Sequence, residues 1–255
     1  MKTRRFWLGM LAATLLMSTL ACQVAFNAGS NPITIGGRTV RGSGTLATEE
    51  RRVSGLSAVD LGSLGHLVIE LGDQEMLRIE AEENLLEYIE TDVRGNTLEI
   101  STRRGINLNP REPINFYLTI QSLDSISVSG LGDVEAPGLE ADEFSVEISG
   151  SGDVSLDSLV ASRLRVDISG LGNLDIEAGQ VDDQDIEISG DGDYNARDLE
   201  SNTAEVDISG LGSAILRVSD HLEANISGGG SVRYYGDPSV DKNVSGLGRV
   251  EPADK

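Results

Sequence analysis

The second half of the chain is built on one recurring stretch, a serine followed by two spaced glycines, and its spacing limits the fold more than any other feature. "VEISGSGDVSL" (146 to 156) is followed at equal steps by "VDISGLGNLDI", "IEISGDGDYNA" and "VDISGLGSAIL". The serine before the first glycine falls at Ser129, Ser149, Ser169, Ser189, Ser209, Ser227 and Ser245, in steps of 20, 20, 20, 20, 18 and 18. A period held over seven copies means one structural unit per step, each covering its apolar side with the next. Immediately before the serines stand Val128, Ile148, Ile168, Ile188, Ile208, Ile226 and Val244, and five places after them Val134, Val154, Leu174, Tyr194, Ala214, Val232 and Val250. Alternation with period two inside each unit calls for strands, and like residues in one column call for stacking of like on like. The fold expected is all-β: a β-solenoid of the right-handed parallel β-helix type, with coils of about 20 residues rising about 4.8 Å each, although handedness is not fixed by the pattern.

Upstream, residues 46 to 122 carry short alternating runs ("HLVIEL", "MLRIEA", "TLEIST", "INFYLTI") separated by turn signals such as Gly72-Asp73 and Arg94-Gly95-Asn96. They predict a short irregular β region belonging to the same domain. "AEENLLEYIE" (81 to 90) is the one stretch with helical flavour. The expected organisation is therefore a leader over 1–22, a spacer over 23–45, the β region over 46–122, the repeat over 123–250 and a tail over 251–255.

Residues 1–22 have a basic start (Lys2, Arg4, Arg5), an apolar run and then small residues, the pattern of a secretory signal, and the run is too short for a spanning helix. Its end, Ser18-Thr19-Leu20-Ala21-Cys22, resembles a bacterial lipobox, with Thr19 where an aliphatic residue is usual. Cys22 is the only cysteine, so no intramolecular disulfide can form, and lipidation gives it a use. The expectation is an extracytoplasmic lipoprotein held to a membrane through Cys22. Loss of the leader leaves 17 basic against 42 acidic residues. Such a charge excludes nucleic acid as a partner and repels anionic headgroups, so a covalent tether serves better than adsorption.

The glycines are expected to belong to coil corners. A phosphate-cradling loop would need a helix after "GxG", and here a strand follows. Between the glycines stand Leu131, Ser151, Leu171, Asp191, Leu211, Gly229 and Leu247. If strand parity persists through the corner, Leu131, Leu171, Leu211 and Leu247 point outward about 10 Å apart, a candidate surface for self-association or for a surface protein or glycan. If a glycine with positive φ resets the parity, they turn inward. Four places after the serine come Asp133, Asp153, Asn173 and Asp193, and two before it Glu147, Asp167, Glu187 and Asp207. Like charges stacked at coil spacing repel, which Ca2+ on hard oxygen ligands would relieve; the alternative is a solvated acidic wall that protects the surface from aggregation.

Signs of catalysis are few. His66 and His221 lie far apart in the chain without evident partners, and the column serines have no base beside them. "VDDQD" (181 to 185) could supply paired carboxylates of a glycosidase, but no basic residue recurs beside it and an acidic turn explains it as well. Aromatic residues are only 4% of the chain, and Tyr88, Phe116, Tyr117, Phe144, Tyr194, Tyr234 and Tyr235 form no column of stacking subsites.

"ENLLEYIETDVRGNTLEI" (83 to 100), "SGSGDV" (149 to 154) and "YYGDPSVDKNVSGLG" (234 to 248) resemble the head GIN domain family, described as heads of autotransporter-type adhesins. The resemblance spans roughly residues 50 to 250 and implies a pectin-lyase-like β-helix, a role in surface adhesion and no catalytic residues. The function expected is a non-catalytic, adhesin-like or envelope-structural surface protein, with a polysaccharide-binding or polysaccharide-active β-helix as the alternative.

Overall fold

The computed structural model describes residues 37–253. The leader, Cys22 and most of the spacer fall outside these residues.

From Ser125 onward the chain winds as the period requires. Strands β10 (Ser125–Val128), β11 (Asp133–Ile148), β12 (Val154–Ile168), β13 (Leu174–Ile176), β14 (Gly179–Ile188), β15 (Tyr194–Ile208), β16 (Ser213–Ile226), β17 (Ser231–Tyr235), β18 (Ser239–Val244) and β19 (Arg249–Pro252) pair in parallel, coil on coil. Val146, Val166, Ile186, Val206 and Ala224 are aligned partners, as are Ile148, Ile168, Ile188, Ile208 and Ile226. The result is a β-solenoid of about 6 turns. Each coil shows three outer faces: face A through the strand leading into Ser149, face B through Val154 to Leu156, and a third face around Leu159 to Ala161.

The solenoid begins before the serine column does. Strand β3 (Ala58–Leu61) pairs in parallel with β10, and β4 (His66–Leu71) with the start of β11, so "LGSLGHL" (61 to 67) is a corner of the same kind with serine and glycine exchanged. A further layer lies beneath it, where β7 (Thr97–Thr102) pairs with β3 and β9 (Asn115–Ile120) with β4. Antiparallel strands then close this end: β6 (Ile89–Arg94) on β7, β5 (Met76–Glu82) on β9, and β2 (Leu46–Arg52) on β5.

One sequence expectation needs correction here, and one ambiguity is resolved. Part of the expected spacer is strand: β1 (Arg38–Arg41) pairs in parallel with β8 (Ile106–Asn109), burying Val40, and the surrounding Gly and Ser had hidden this four-residue alternation. The helical flavour of 81–90 resolves into the end of β5, a single 3-10 turn over Leu86–Tyr88 and the start of β6, because Leu85, Tyr88 and Ile89 are all needed in the interior.

Glu82 pins the capping strands. Its fully buried carboxylate accepts the backbone N–H groups of Gly44 and, at 2.8 Å, of Arg111. Burial pushes this carboxyl up, but the amides of Arg111, Gly44 and Glu112 with the Arg111 guanidinium outweigh it and hold it below the ordinary carboxylate value.

The interior is aliphatic, with Phe116, Phe144 and Tyr194 as its largest aromatic rings. One polar line crosses it. The Tyr194 hydroxyl donates to Gln184 Oε1 (2.6 Å), Gln184 Nε2 to Ser201 Oγ (2.9 Å), and Ser201 Oγ to the Arg217 carbonyl (2.8 Å). Every buried side-chain N and O among the described residues has a partner, so the line costs no unsatisfied group.

The far end is blunted. Strands β18 and β19 pair on one side only, with β16 and β17. Lys242 occupies the column of Ala224 and reaches to 3.5 Å from the Val250 carbonyl oxygen, while Pro252 sits in the last strand. A charge in an inward column and a proline on the edge both discourage addition of another strand.

Candidate interaction surface

The corner between faces A and B carries the leucines. A Cβ on Gly152 would lie 1.8 Å from the carbonyl oxygen of Gly132, and one on Gly150 2.0 Å from that of Gly130. The same clash recurs at every later coil, Gly172 on Gly152 (1.9 Å) and Gly212 on Gly192 (2.0 Å) among them. Glycine is therefore required because successive coils approach backbone to backbone. None of the glycines of this corner from Gly130 to Gly248 has a positive φ. No glycine resets the parity: although the chain bends at Gly150 and Ser151, burial still alternates from Ile148 to Val154, and the residue between the glycines faces out.

Of the two orientations left open by the sequence, the outward one holds: Leu131 is 69% exposed, Leu171 62%, Leu211 68% and Leu247 91%. The first coil departs, since Leu64, aligned with them, is half-buried against the core. The ladder of hydrogen bonds runs straight under the ridge, from Leu171 N to Gly150 O (2.9 Å) and from Leu211 N to Gly190 O (3.1 Å). Four apolar side chains thus stand on alternate coils of a rigid edge, with Ser151, Asp191 and Gly229 in the gaps.

Beside the ridge, the column of Asp133, Asp153, Asn173 and Asp193 forms a ladder of its own. Asp133 Oδ1 accepts Asp153 N (2.9 Å), Asp153 Oδ1 accepts Asn173 N (2.8 Å) and Nδ2 (2.9 Å), Asn173 Oδ1 accepts Asp193 N (2.9 Å), and Asp193 Oδ1 accepts Ser213 N (2.7 Å). Each of these four side chains satisfies the amide of the next coil at the corner, a role that suits short Asp and Asn acceptors. Among the described residues no group of three or more His, Cys, Asp or Glu side chains is placed to hold a metal ion.

Face A is the acidic wall. The second column, Glu147, Asp167, Glu187 and Asp207, runs along it beside Asp185, Glu205, Glu223 and Asp241. "VDDQD" lies inside β14 at a corner of the coil: Val181 and Gln184 both point in although three residues apart, the parity breaking at Asp182, and Asp183 and Asp185 point out. Basic neighbours come from the previous coil, Arg163 at 3.8 Å from Asp183 and Arg165 at 3.4 Å from Asp185, a pairing invisible until the coils are stacked. Glu205 lies between Asp185 and Glu223 in register. Partial burial, then the charges of Asp207, Glu223 and Asp185, raise its carboxyl above the ordinary value. The histidines also have partners: His66 Nε2 is 3.4 Å from Glu135, and His221 lies 3.0 Å from the Ser239 hydroxyl and 3.9 Å from Asp241. They stand on different faces and share no site.

A feature missed in the sequence lies on the third face, where the step falls from 20 to 18. The pairing of β15 with β16 jumps from Ala196/Leu216 to Glu200/Arg217, so Arg197, Asp198 and Leu199 have no counterparts in the next coil. Arg197, Arg217 and Tyr235 gather at this ledge, at sequence steps of 20 and 18 that repeat the serine period. That repetition was the legible signal.

The geometry agrees with known proteins. Residues 55–238 match the family described as "Putative auto-transporter adhesin, head GIN domain". A solved "putative adhesin" from Bacteroides fragilis is 25% identical, with a TM-score of 0.79 over 84% of this chain and 100% of its own. Two others share the fold: one from Parabacteroides distasonis at 22% identity (TM-score 0.69, 84% and 100% covered) and one from Parabacteroides merdae at 23% (0.64, 86% and 100%). No curated protein matches. The stacked coils, the glycine corner and the match over most of the chain place this protein in the head GIN domain family.

Proposed function

We propose that this is a non-catalytic surface protein of adhesin type, exported and tethered to the membrane through Cys22, whose contact surface is the leucine ridge. The observation that carries the reading is the line of Leu131, Leu171, Leu211 and Leu247, 62 to 91% exposed on a corner whose backbone is hydrogen-bonded from coil to coil. Exposed apolar groups held rigidly in a row lose little entropy on binding, and a ridge rimmed by polar residues is a common form of interaction site. Membership of an adhesin family supports the same reading. Self-association through the ridge alone is opposed by the acidic wall and Asp ladder beside it, so the partner favoured is a different molecule with an apolar groove.

The test is an array of matrix proteins and glycans probed with the leaderless protein. Binding to at least one member, lost when Leu131, Leu171 and Leu211 are replaced together by Ser, is the expected result. A silent array would leave a structural role in the envelope as the better account. A binding signal indifferent to the replacement would move the contact surface elsewhere.

A further inference from the structure

The ledge on the third face has the makings of a binding site. Where the coil shortens, a recess of about 710 Å³ opens, lined by Arg197, Arg217, Tyr235, Gly236, Asp237 and Pro252. A second hollow of about 450 Å³ lies on the other side of Arg217, bounded by Gln180, Glu200, Asn202 and Ser219, and shares Gly236 and Asp237 with the first. Both volumes fall in the range of small-molecule sites, roughly 300–1,000 Å³.

The groups in it are arranged, not scattered. The guanidinium groups of Arg197 and Arg217 lie 5.1 and 5.2 Å from the centre of the Tyr235 ring. Arg217 Nε donates to the Arg197 carbonyl (3.0 Å), and Asp198 sits 3.4 Å from Arg217 and 3.7 Å from Arg197. The floor is Gly236, at φ +103, where a Cβ would lie 2.0 Å from the Val218 carbonyl oxygen. Fixing the side chains to the backbone and to one another before any ligand arrives lowers the ordering cost of binding.

The charges decide what fits. Within the recess two arginines face Asp237, Asp198 holds both of them from 3.4 and 3.7 Å, and Glu200 lines the adjoining hollow, so the ledge is close to balanced on a protein of net charge −22. A phosphate, sulfate or uronate would meet an unfavourable field. A hydroxyl both donates and accepts, and a ring of hydroxyls can bridge guanidinium donors and carboxylate acceptors set side by side while its C–H faces contact the aromatic ring. We infer that this recess is a subsite for a neutral saccharide, with Arg197, Arg217 and Asp237 as hydroxyl partners and Tyr235 as the apolar wall. It deepens the adhesin reading by naming a ligand class, but it uses residues on a different face from the ridge, so each can fail alone.

The test is equilibrium binding of the full mature chain to maltotriose, cellotriose, mannotriose and chitotriose, with trigalacturonate and a basic peptide as contrasts. At least one neutral trisaccharide binds saturably. Arg197→Gln and Tyr235→Ala each weaken it about tenfold, the scale of one lost contact. The triple leucine replacement leaves it unchanged. The inference is overturned if none of the four binds, if trigalacturonate or the peptide binds more tightly than all of them, or if Arg197→Gln leaves the affinity unchanged. That exposed variant, whose melting temperature should not move, decides the matter if Tyr235→Ala disturbs the last coils.

Discussion

Replacing Gly152 by alanine puts one methyl group where the coils meet. The added Cβ would lie 1.8 Å from Gly132 O, 2.6 Å from Gly132 C and 3.1 Å from Val128 Cγ1. Relief demands more than an ångström of separation between coils, against a coil spacing of about 4.8 Å. Movement of that size breaks the bonds that clamp this corner, Ser151 N to Gly130 O and Gly150 N to Val128 O, both 3.0 Å. Two backbone bonds at about 1 kcal/mol each, with about 1–3 kcal/mol for overpacking, give a cost of about 3–5 kcal/mol. For a domain of this size the melting temperature should fall by roughly 6–20 °C. The control is Gly229→Ala, between the glycines, where the new Cβ meets only Leu211 Cδ2 at 3.0 Å, the end of a flexible side chain. It should melt within about 2 °C of the parent. Thermal unfolding followed by circular dichroism separates the two. If both variants melt like the parent, glycine-on-glycine stacking is wrong.

Four further outcomes follow from the charged and hydrogen-bonding side chains. Glu82 has its carboxyl lowered in the fold, so its contribution is complete above the ordinary value of 4.5 and is lost as pH falls through the folded value. Glu82→Gln should therefore be less stable at neutral pH, with the gap to the parent narrowing below pH 4.5; a constant gap would refute the ionised-cap account. Glu205 has its carboxyl raised, so the folded state gains stability as acid neutralises it. Glu205→Gln should be more stable at pH 7 by a few tenths of a kcal/mol, and the advantage should vanish in acid; a destabilised variant would show that the neighbouring charges do not govern it. On the Asp ladder, Asp153→Ala should cost about 1 kcal/mol by orphaning Asn173 N, whereas Asp153→Asn should be neutral. The ladder also predicts equal melting temperatures in Ca2+ and in NaCl of matched ionic strength; a Ca2+-specific rise, lost in Asp153→Asn, would mean that the column holds cations instead.

The repeat was legible because a solenoid writes its geometry into a column of identical residues, and Val146, Val166, Ile186 and Val206 occupy aligned positions where the period put them. The first two layers escaped because they share the stacking but not the serine: "LGSLGHL" exchanges Ser and Gly, and β7 and β9 reach their places through an intervening cap. The cap itself is set by Glu82 meeting the amides of Gly44 and Arg111, contacts too far apart in sequence to be read from spacing. At the ridge, parity was readable, but whether it survived the corner depended on φ at the glycines, which composition does not reveal. Arg197, Arg217 and Tyr235 did carry the period, yet a column of unlike residues shows its purpose only when the shortened coil brings the side chains together.

The ridge is most directly tested by comparing two quantities on one protein, the parent against the variant with Leu131, Leu171 and Leu211 all changed to Ser. Because these side chains are 62 to 69% exposed, the melting temperature should move by no more than about 2–4 °C in total. Retention on the matrix-protein or glycan spot that the parent recognises should be lost. A collapse in stability would show that the leucines belong to the core, and unchanged retention with an unchanged melting temperature would show that this surface is not the one that binds.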